Sequence, residues 1–332
     1  MSPPTWQETH LGGSEEAEAR LFEELAEDIK RAQDKLRDRQ GLAVVGRPFH
    51  AKSLGAVDNA RFEVRPDLAA DLRVGFLQAG TTHRATVRFS NAKGQVRSDK
   101  KRDLRGVAIR VHVGPEADQD LLLTNAPASH ADDARQFMHA AMATAIGGAR
   151  GVAHLVKTVG PVESARMAWV LAQGFLHKVT SVATETYWSR AATAVGPTAV
   201  RFTLAPLNAT GPSLGSGDNY LRQDLAERLR RGEVGFSLQA QRYVDEVRTP
   251  IERGRASWDE RDSPLEPVAR LTIPRQDLDT PEALATEAAI DGLAFSPWNT
   301  TDPLRPLGNL NRARRQVYAA SAAHRGSSPY AG

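Results

Sequence analysis

Two blocks of alternating apolar and polar residues, set on either side of an alanine-rich stretch, limit most strongly what this chain can fold into. In the first block the clearest runs are Arg61-Phe-Glu-Val64, Ala85-Thr-Val-Arg-Phe-Ser90 and Gly106-Val-Ala-Ile-Arg-Val-His-Val113, followed by the short apolar run Leu121-Leu-Leu123. In the second, Val200, Phe202 and Leu204 alternate with Arg201 and Thr203, and Val234, Phe236, Leu238 and Ala240 alternate with Gly235, Ser237 and Gln239; Val268–Ile273 adds one more run. A period of two places one side-chain face in a core, and turn residues between the runs favour antiparallel strands. Residues 131–180 are helical by pattern, with a break at Gly160-Pro161, and Leu221, Leu225 and Leu229 mark a short helix. The segment from about Pro306 to His324 is helical by composition. Such an order predicts one large α+β domain, residues 41–332, in which the strands close into an antiparallel β-barrel with surrounding helices.

Residues 1–40 read as an N-terminal helical extension. Ser14 is placed to cap a helix that runs to about Gln40 and ends at Gly41, and Glu15 and Glu16 suit its positive end. Leu21, Leu25, Ile29, Ala32 and Leu36 share one face. The first ten residues carry no apolar core of signal-peptide type. The stretch Met167–Leu176 is broken by Gln173 and Gly174 and is far short of the ~18 residues a membrane span needs. A cytoplasmic protein with no membrane span is therefore expected.

Composition removes several kinds of chemistry. There is no cysteine among the 332 residues, so disulfides, a thiolate-ligated haem, an iron–sulfur cluster and a cysteine nucleophile are excluded. Lys+Arg 43 against Asp+Glu 40 leaves +3, too little to argue for nucleic acid as a partner. No Walker loop, GxGxxG after a strand, GxSxG or HExxH is present, and the nine histidines show no zinc-ligand spacing.

One histidine stands in a specific setting. Gly46-Arg-Pro-Phe-His-Ala-Lys52 is followed by Val87-Arg-Phe-Ser-Asn91, by Arg102-Asp-Leu-Arg-Gly-Val-Ala-Ile-Arg110 and by Asp120-Leu-Leu-Leu-Thr-Asn-Ala-Pro127. Further on come Thr272-Ile-Pro-Arg275, Ala294-Phe-Ser-Pro-Trp-Asn299 and Arg314-Arg-Gln-Val-Tyr318, with Arg325 seven residues after the tyrosine. On a helix Arg314 and Tyr318 are i and i+4, one turn apart, where a guanidinium favours the phenolate by a charge-assisted hydrogen bond. The segments in this order resemble the haem catalase family over roughly residues 41–325, strongly at both ends and weakly between 131 and 200.

The resemblance implies a b-type haem whose iron is ligated by Tyr318. It implies Arg314 beside that ligand, Arg47, Arg88 and Arg325 on the haem propionates, and Phe137 against the porphyrin. His50 becomes the distal acid and base, oriented by Ser90, with Asn125 donating an amide hydrogen bond to the departing oxygen of a hydroperoxide. Asp120 matches an aspartate of the substrate channel.

The sequence departs from the pattern at several places. Phe49 stands where valine is common, Ser129-His130 replaces a Phe-Phe pair, and Tyr318-Ala-Ala-Ser321 replaces Tyr-x-Asp-Thr. The wrapping arm and helical domain of typical catalases are expected to be absent. The expectation is a catalase-related peroxidase acting on hydrogen peroxide or an organic hydroperoxide. A small organic donor is its second substrate, in a pocket narrower above the iron and more polar to one side. A homo-oligomer is compatible with this reading. The alternative is a non-catalytic haem- or small-molecule-binding protein on a catalase-like fold.

Overall fold

Strands β1 (Ser53–Val64), β2 (Thr82–Asn91), β3 (Arg105–Gly114) and β4 (Ala117–Thr124) form an antiparallel meander. The computed structural model describes residues 5–114 and 117–327. Residues 1–4, at the start of the segment expected to lack a leader, and residues 328–332, at the end of the expected domain, lie outside the described residues. The second block supplies β7 (Thr198–Pro206), β8 (Val234–Arg242) and β9 (Glu266–Ile273). β9 returns to β1, with Phe62 opposite Leu271. The circle is completed by β5 (Tyr187–Trp188), only two residues long, in which Trp188 pairs with Thr124 on one side and Thr203 on the other. Eight strands thus close an antiparallel barrel, and the short β6 (Thr193–Val195) hangs on β7. Closure leaves the barrel no free edge.

Alternation dictates which residues fill it. Leu54, Phe62, Val87, Phe89, Ile109, Leu121, Phe202, Leu204, Phe236, Leu238 and Leu271 are buried together in the core. Phe89 packs on Tyr187 and Phe236 with ring centroids 6.1 and 6.0 Å apart, and the Tyr187 hydroxyl donates to the Val182 carbonyl at 2.7 Å.

Seven helices surround the barrel among the described residues. α1 (Glu15–Gln40) begins at Ser14, whose Oγ accepts the Ala17 N–H, and ends at Gly41 in the left-handed region. α2 (Ala134–Ile146), α3 (Gly148–Val159) and α4 (Pro161–Leu176) fill the alanine-rich stretch, with Gly160-Pro161 separating the last two as expected. α5 (Tyr220–Arg231) is the short helix of Leu221, Leu225 and Leu229, α6 (Pro281–Gly292) precedes the Ala294-Phe-Ser segment, and α7 (Asn309–His324) carries Arg314 and Tyr318. No helix among the described residues is long and apolar enough to cross a membrane.

α1 is more than an appendage. Phe22, Leu25 and Ile29 pack with Ala134, Met138 and Ala141 of α2 and Ala313 and Val317 of α7. Phe22 is the first fully buried apolar residue of α1, while Leu21 is half-buried at the edge of the same cluster. On α7, Arg312 donates to Glu8, Glu18 and Glu252 at 2.7–2.8 Å. That network fixes the rotation of α7, since Arg314 lies two residues further along and faces elsewhere.

A second clamp holds Ala294-Phe-Ser against the barrel. Arg110 on β3 and Asp120 opposite it on β4 form a two-pronged ion pair at 2.8 and 2.9 Å. Arg110 also donates to the Ala294 carbonyl at 2.8 Å, and Asp120 accepts the Ser296 N–H at 2.9 Å. The carboxylate expected to face a substrate channel is thus fully engaged within the barrel wall. Removing one partner of a buried pair leaves an uncompensated charge, at a cost of roughly 3–5 kcal/mol. Asp120→Ala should lower the unfolding free energy in urea by about that amount; a change inside the error of the titration would show that the clamp is not structural.

Candidate active site

A cavity of about 440 Å³ lies between the barrel and the helices α1, α2 and α7. Its walls are mainly apolar, with Ile29, Ala32 and Leu36 from α1, Phe137 and Met138 from α2, Val107 and Leu122 from the barrel, and Val317 from α7.

His50 enters this cavity from the chain just before β1. Its backbone is left-handed, φ 56°, a conformation costing about 1–3 kcal/mol for a side-chain-bearing residue. Three backbone hydrogen bonds hold it there. His50 N–H donates to the Ala92 carbonyl at 3.1 Å, Ala51 N–H donates to Lys93 at 3.1 Å, and the His50 carbonyl accepts Arg88 at 3.0 Å. The ring Nδ1 is 3.0 Å from Ser90 Oγ, which leaves Nε2 to the cavity. The ring lies over Gly106: a Cβ there would come within 2.5 Å of Cε1 and 2.7 Å of Nδ1.

Burial, then the positive charges of Arg88, Arg190, Arg314 and Arg47, push the His50 pKa down to about 3. The imidazole is therefore neutral at neutral pH. His130, pushed to about 4 by burial and by Arg190 and Arg166, is neutral as well.

From α7, Arg314 donates through Nε and a terminal nitrogen to Tyr318 Oη at 3.1 and 3.0 Å. Asn311, one turn earlier, accepts from Arg314 at 3.1 Å and donates to the Ala192 carbonyl at 2.9 Å, which fixes the guanidinium in place. Two guanidinium N–H groups thus hold the phenol oxygen in place at the cavity wall.

A cluster of cations forms another part of the wall. Arg88 Nε donates to Asp291 at 2.7 Å, and Arg47 donates to the backbone carbonyls of Asp291 and Leu293. Arg47 is pushed down to about 9 by burial and by Arg88 and Arg325, and still carries its charge at neutral pH. Arg325, part-buried beside them, has no oxygen partner for its guanidinium among the described residues. In all, seven arginines and a lysine line the cavity against a single aspartate, Asp103. That balance suits an anionic guest.

The structure brings His50, Ser90, Arg47, Arg88, Phe137, Arg314, Tyr318 and Arg325 to one cavity. Phe137 packs edge-on against Phe49 at 5.7 Å and against His130 at 5.2 Å, so the residues that depart from the pattern form one aromatic row. Asn125 is not brought there. Its Oδ1 accepts the Arg105 N–H at 2.6 Å and its amide donates to Glu185 at 2.9 Å, and Glu185 is in turn 2.9 Å from His177 Nε2. Three contributors were not singled out from the sequence: Gly106, Asn311 and Arg190. The first two sit inside or beside the matched segments; Arg190 lies where the sequence carries no motif.

Residues 23–150 match the family model described as Catalase. Among solved structures the chain is similar to a fungal catalase, with TM-score 0.67 and 17% identity over 98% of this chain and 66% of that one. It is similar to catalase A from Saccharomyces cerevisiae, with TM-score 0.65 and 16% identity over 97% and 67%, and to a bacterial catalase, with TM-score 0.62 and 17% identity over 98% and 64%. The chain thus spans about two thirds of the length of the catalases it matches. No curated protein matches it. The barrel with its surrounding helices is the catalase fold. The family match covers the segment that holds His50, Arg88 and Ser90, and the chain as a whole has the fold of the catalases.

The site makes two predictions for the protein alone. Gly106→Ala should cost roughly 1–3 kcal/mol by overpacking the imidazole. The same change in a His50→Ala background should cost much less, and a double-mutant cycle showing no coupling would separate the two residues. Because folding lowers the His50 and His130 pKa values, the unfolded chain binds more protons below about pH 6.5. Stability should therefore be full above that pH and fall as pH drops towards 4 and 3. Between pH 6.5 and 5 each histidine contributes roughly 2 kcal/mol of loss. Urea midpoints at pH 7 and 5 should converge in His50→Gln relative to the parent; equal pH sensitivity would contradict the assignment.

Proposed function

We propose that this protein is a haem-dependent oxidoreductase that reduces hydrogen peroxide or organic hydroperoxides, working as a catalase-related peroxidase. The observation that carries the reading is the meeting of the His50–Ser90 pair and the Arg314–Tyr318 pair at one apolar cavity with a strongly cationic wall.

A haem b group fits these residues. Tyr318 is an oxygen donor whose anionic form is supported by Arg314, as a ferric ion requires. Arg47, Arg88 and Arg325 would hold the propionates, and the guanidinium of Arg325, without an oxygen partner, is what a site built for a carboxylate leaves behind. Phe137 would pack on the ring. When bound, haem supplies the redox chemistry, and the protein supplies position and field.

His50, neutral, takes the proton of the incoming hydroperoxide at Nε2 and returns it to the departing oxygen. Ser90 fixes the ring so that Nε2, and not Nδ1, faces the substrate. The left-handed backbone, with both His50 backbone groups bonded, removes the freedom that would let the imidazole swing away. The apolar walls exclude water from the cleaving bond.

The peroxidase side of the reading rests on Asn125 and on the Phe49–Phe137–His130 row. Asn125 lies outside the cavity lining with its amide turned to Glu185, so it is not placed to order a second hydrogen peroxide there. A non-catalytic binding protein would need the cationic wall and Tyr318 but not a neutral, oriented histidine.

The test uses two variants and one peroxide assay. Tyr318→Phe should lose haem or its phenolate charge-transfer bands. His50→Ala should keep haem and react with peroxide ~10²–10⁴-fold more slowly in stopped flow. An unchanged spectrum in Tyr318→Phe, or an unchanged rate in His50→Ala, would refute the assignment.

A further inference from the structure

Arg190 is a cavity cation to which the reading above gives no role; unlike Arg39 and Arg97, it has no backbone carbonyl as a partner among the described residues. It lies on the bend that follows β5, with φ 60°, a left-handed conformation rare for arginine. The chain pins it there from both sides. Ser189 N–H donates to the Phe202 carbonyl at 2.9 Å, and Ser189 Oγ accepts the Phe202 N–H at 3.0 Å. The Ala192 carbonyl accepts the Leu307 N–H and the Asn311 amide, both at 2.9 Å. A strained residue held this firmly points to a function for its side chain.

The side chain is half-buried and lines the cavity. Among the described residues it has no hydrogen bond and no ion pair, whereas Arg47, Arg88 and Arg314 each have oxygen partners. The ionisable groups that act on it are Arg314, which repels it, and Tyr318, whose hydroxyl oxygen already takes two hydrogen bonds from Arg314. His130 beside it is neutral and offers no counter-charge. The two propionates of a haem would be met by Arg47, Arg88 and Arg325, so this cation remains without an anion. A charge that faces a largely apolar cavity with no protein partner is completed by an anion that enters it.

We propose that Arg190 is an anion-recognition residue for the organic substrate, and that this substrate carries a carboxylate. One guanidinium in a largely apolar cavity matches one carboxylate on an aliphatic or aromatic body, two parallel N–H groups meeting two oxygens. A small inorganic dianion would need more donors than this part of the wall provides. The proposal rests on the reading above for the substrate's role, while the binding site itself is defined by the cavity.

The experiment is calorimetric titration of the haem-loaded protein with octanoate and, as the uncharged counterpart, octanamide. Haem content is recorded by absorbance for every variant. Octanoate should bind at least tenfold more tightly than octanamide. Arg190→Gln and Arg190→Gly should each lose at least tenfold in octanoate affinity and leave octanamide unchanged; glycine suits the left-handed backbone, so its loss cannot be ascribed to misfolding. Arg261→Gln, at an exposed arginine outside the cavity, should leave octanoate affinity unchanged. Equal octanoate affinity in the Arg190 variants would overturn the proposal. So would loss of haem in the Arg190 variants but not in Arg325→Gln, which would give Arg190 to the propionates. Displacement of octanoate by inorganic phosphate at equal concentration would overturn the carboxylate assignment. If the protein takes up no haem, the function above fails, and the same titration on the protein as purified still decides whether Arg190 or Arg325 holds the anion.

Discussion

Seven guanidiniums crowd one cavity because backbone carbonyls, more than carboxylates, take their hydrogen bonds. Arg47 donates to Asp291 and Leu293, Arg39 to Thr144 and Ala145, Arg97 to Arg102, and Arg88 to His50 as well as to the Asp291 side chain. A carbonyl satisfies a donor without cancelling its charge, so these guanidiniums are bonded while the cavity stays positive. The field has two consequences. Together with burial, which acts more strongly, it keeps His50 neutral, and it suits an anionic guest. The rest of the structure maintains this balance: the barrel supplies a rigid wall, and the Arg312 network and the Arg110–Asp120 clamp fix α7 and the Ala294-Phe-Ser segment against it.

Placement follows from local rules. His50 and Ser90 are forty residues apart in sequence and meet because β1 and β2 pair with Ser53 opposite Ser90. Gly106, on the next strand, is opposite Ser90 in the β2–β3 register, which is why a side chain there would strike the imidazole. Arg314 and Tyr318 meet by helical periodicity alone.

Much of this was legible in the amino-acid sequence. Alternation located every long strand, and the order of short segments located His50, Ser90, Arg88 and Tyr318. What stayed hidden has physical reasons. β5, which closes the barrel, is too short to show a period. The first half of β1 mixes Gly55, Asp58 and Asn59 among its apolar residues, and its pairing with β2 shifts register there, which blurs the alternation. α6 has apolar residues on all sides and buries only Ile290. α1 reads as an extension because its partners, α2 and α7, are more than a hundred residues away. Asn125 matches its segment, yet its amide turns to Glu185, a partner supplied by the part of the chain where the resemblance is weakest. Arg190 comes from the same part and becomes visible only once the cavity is assembled.

The claim on which the account turns is that the Arg314–Tyr318 pair and the cationic wall form a haem site. Titrating the purified protein with haemin, followed by absorbance through the Soret and visible regions, tests it directly. The account predicts saturation at one haem per chain with the bands of a ferric phenolate complex. Uptake that rises without saturation, or a saturated spectrum without those bands, would contradict it.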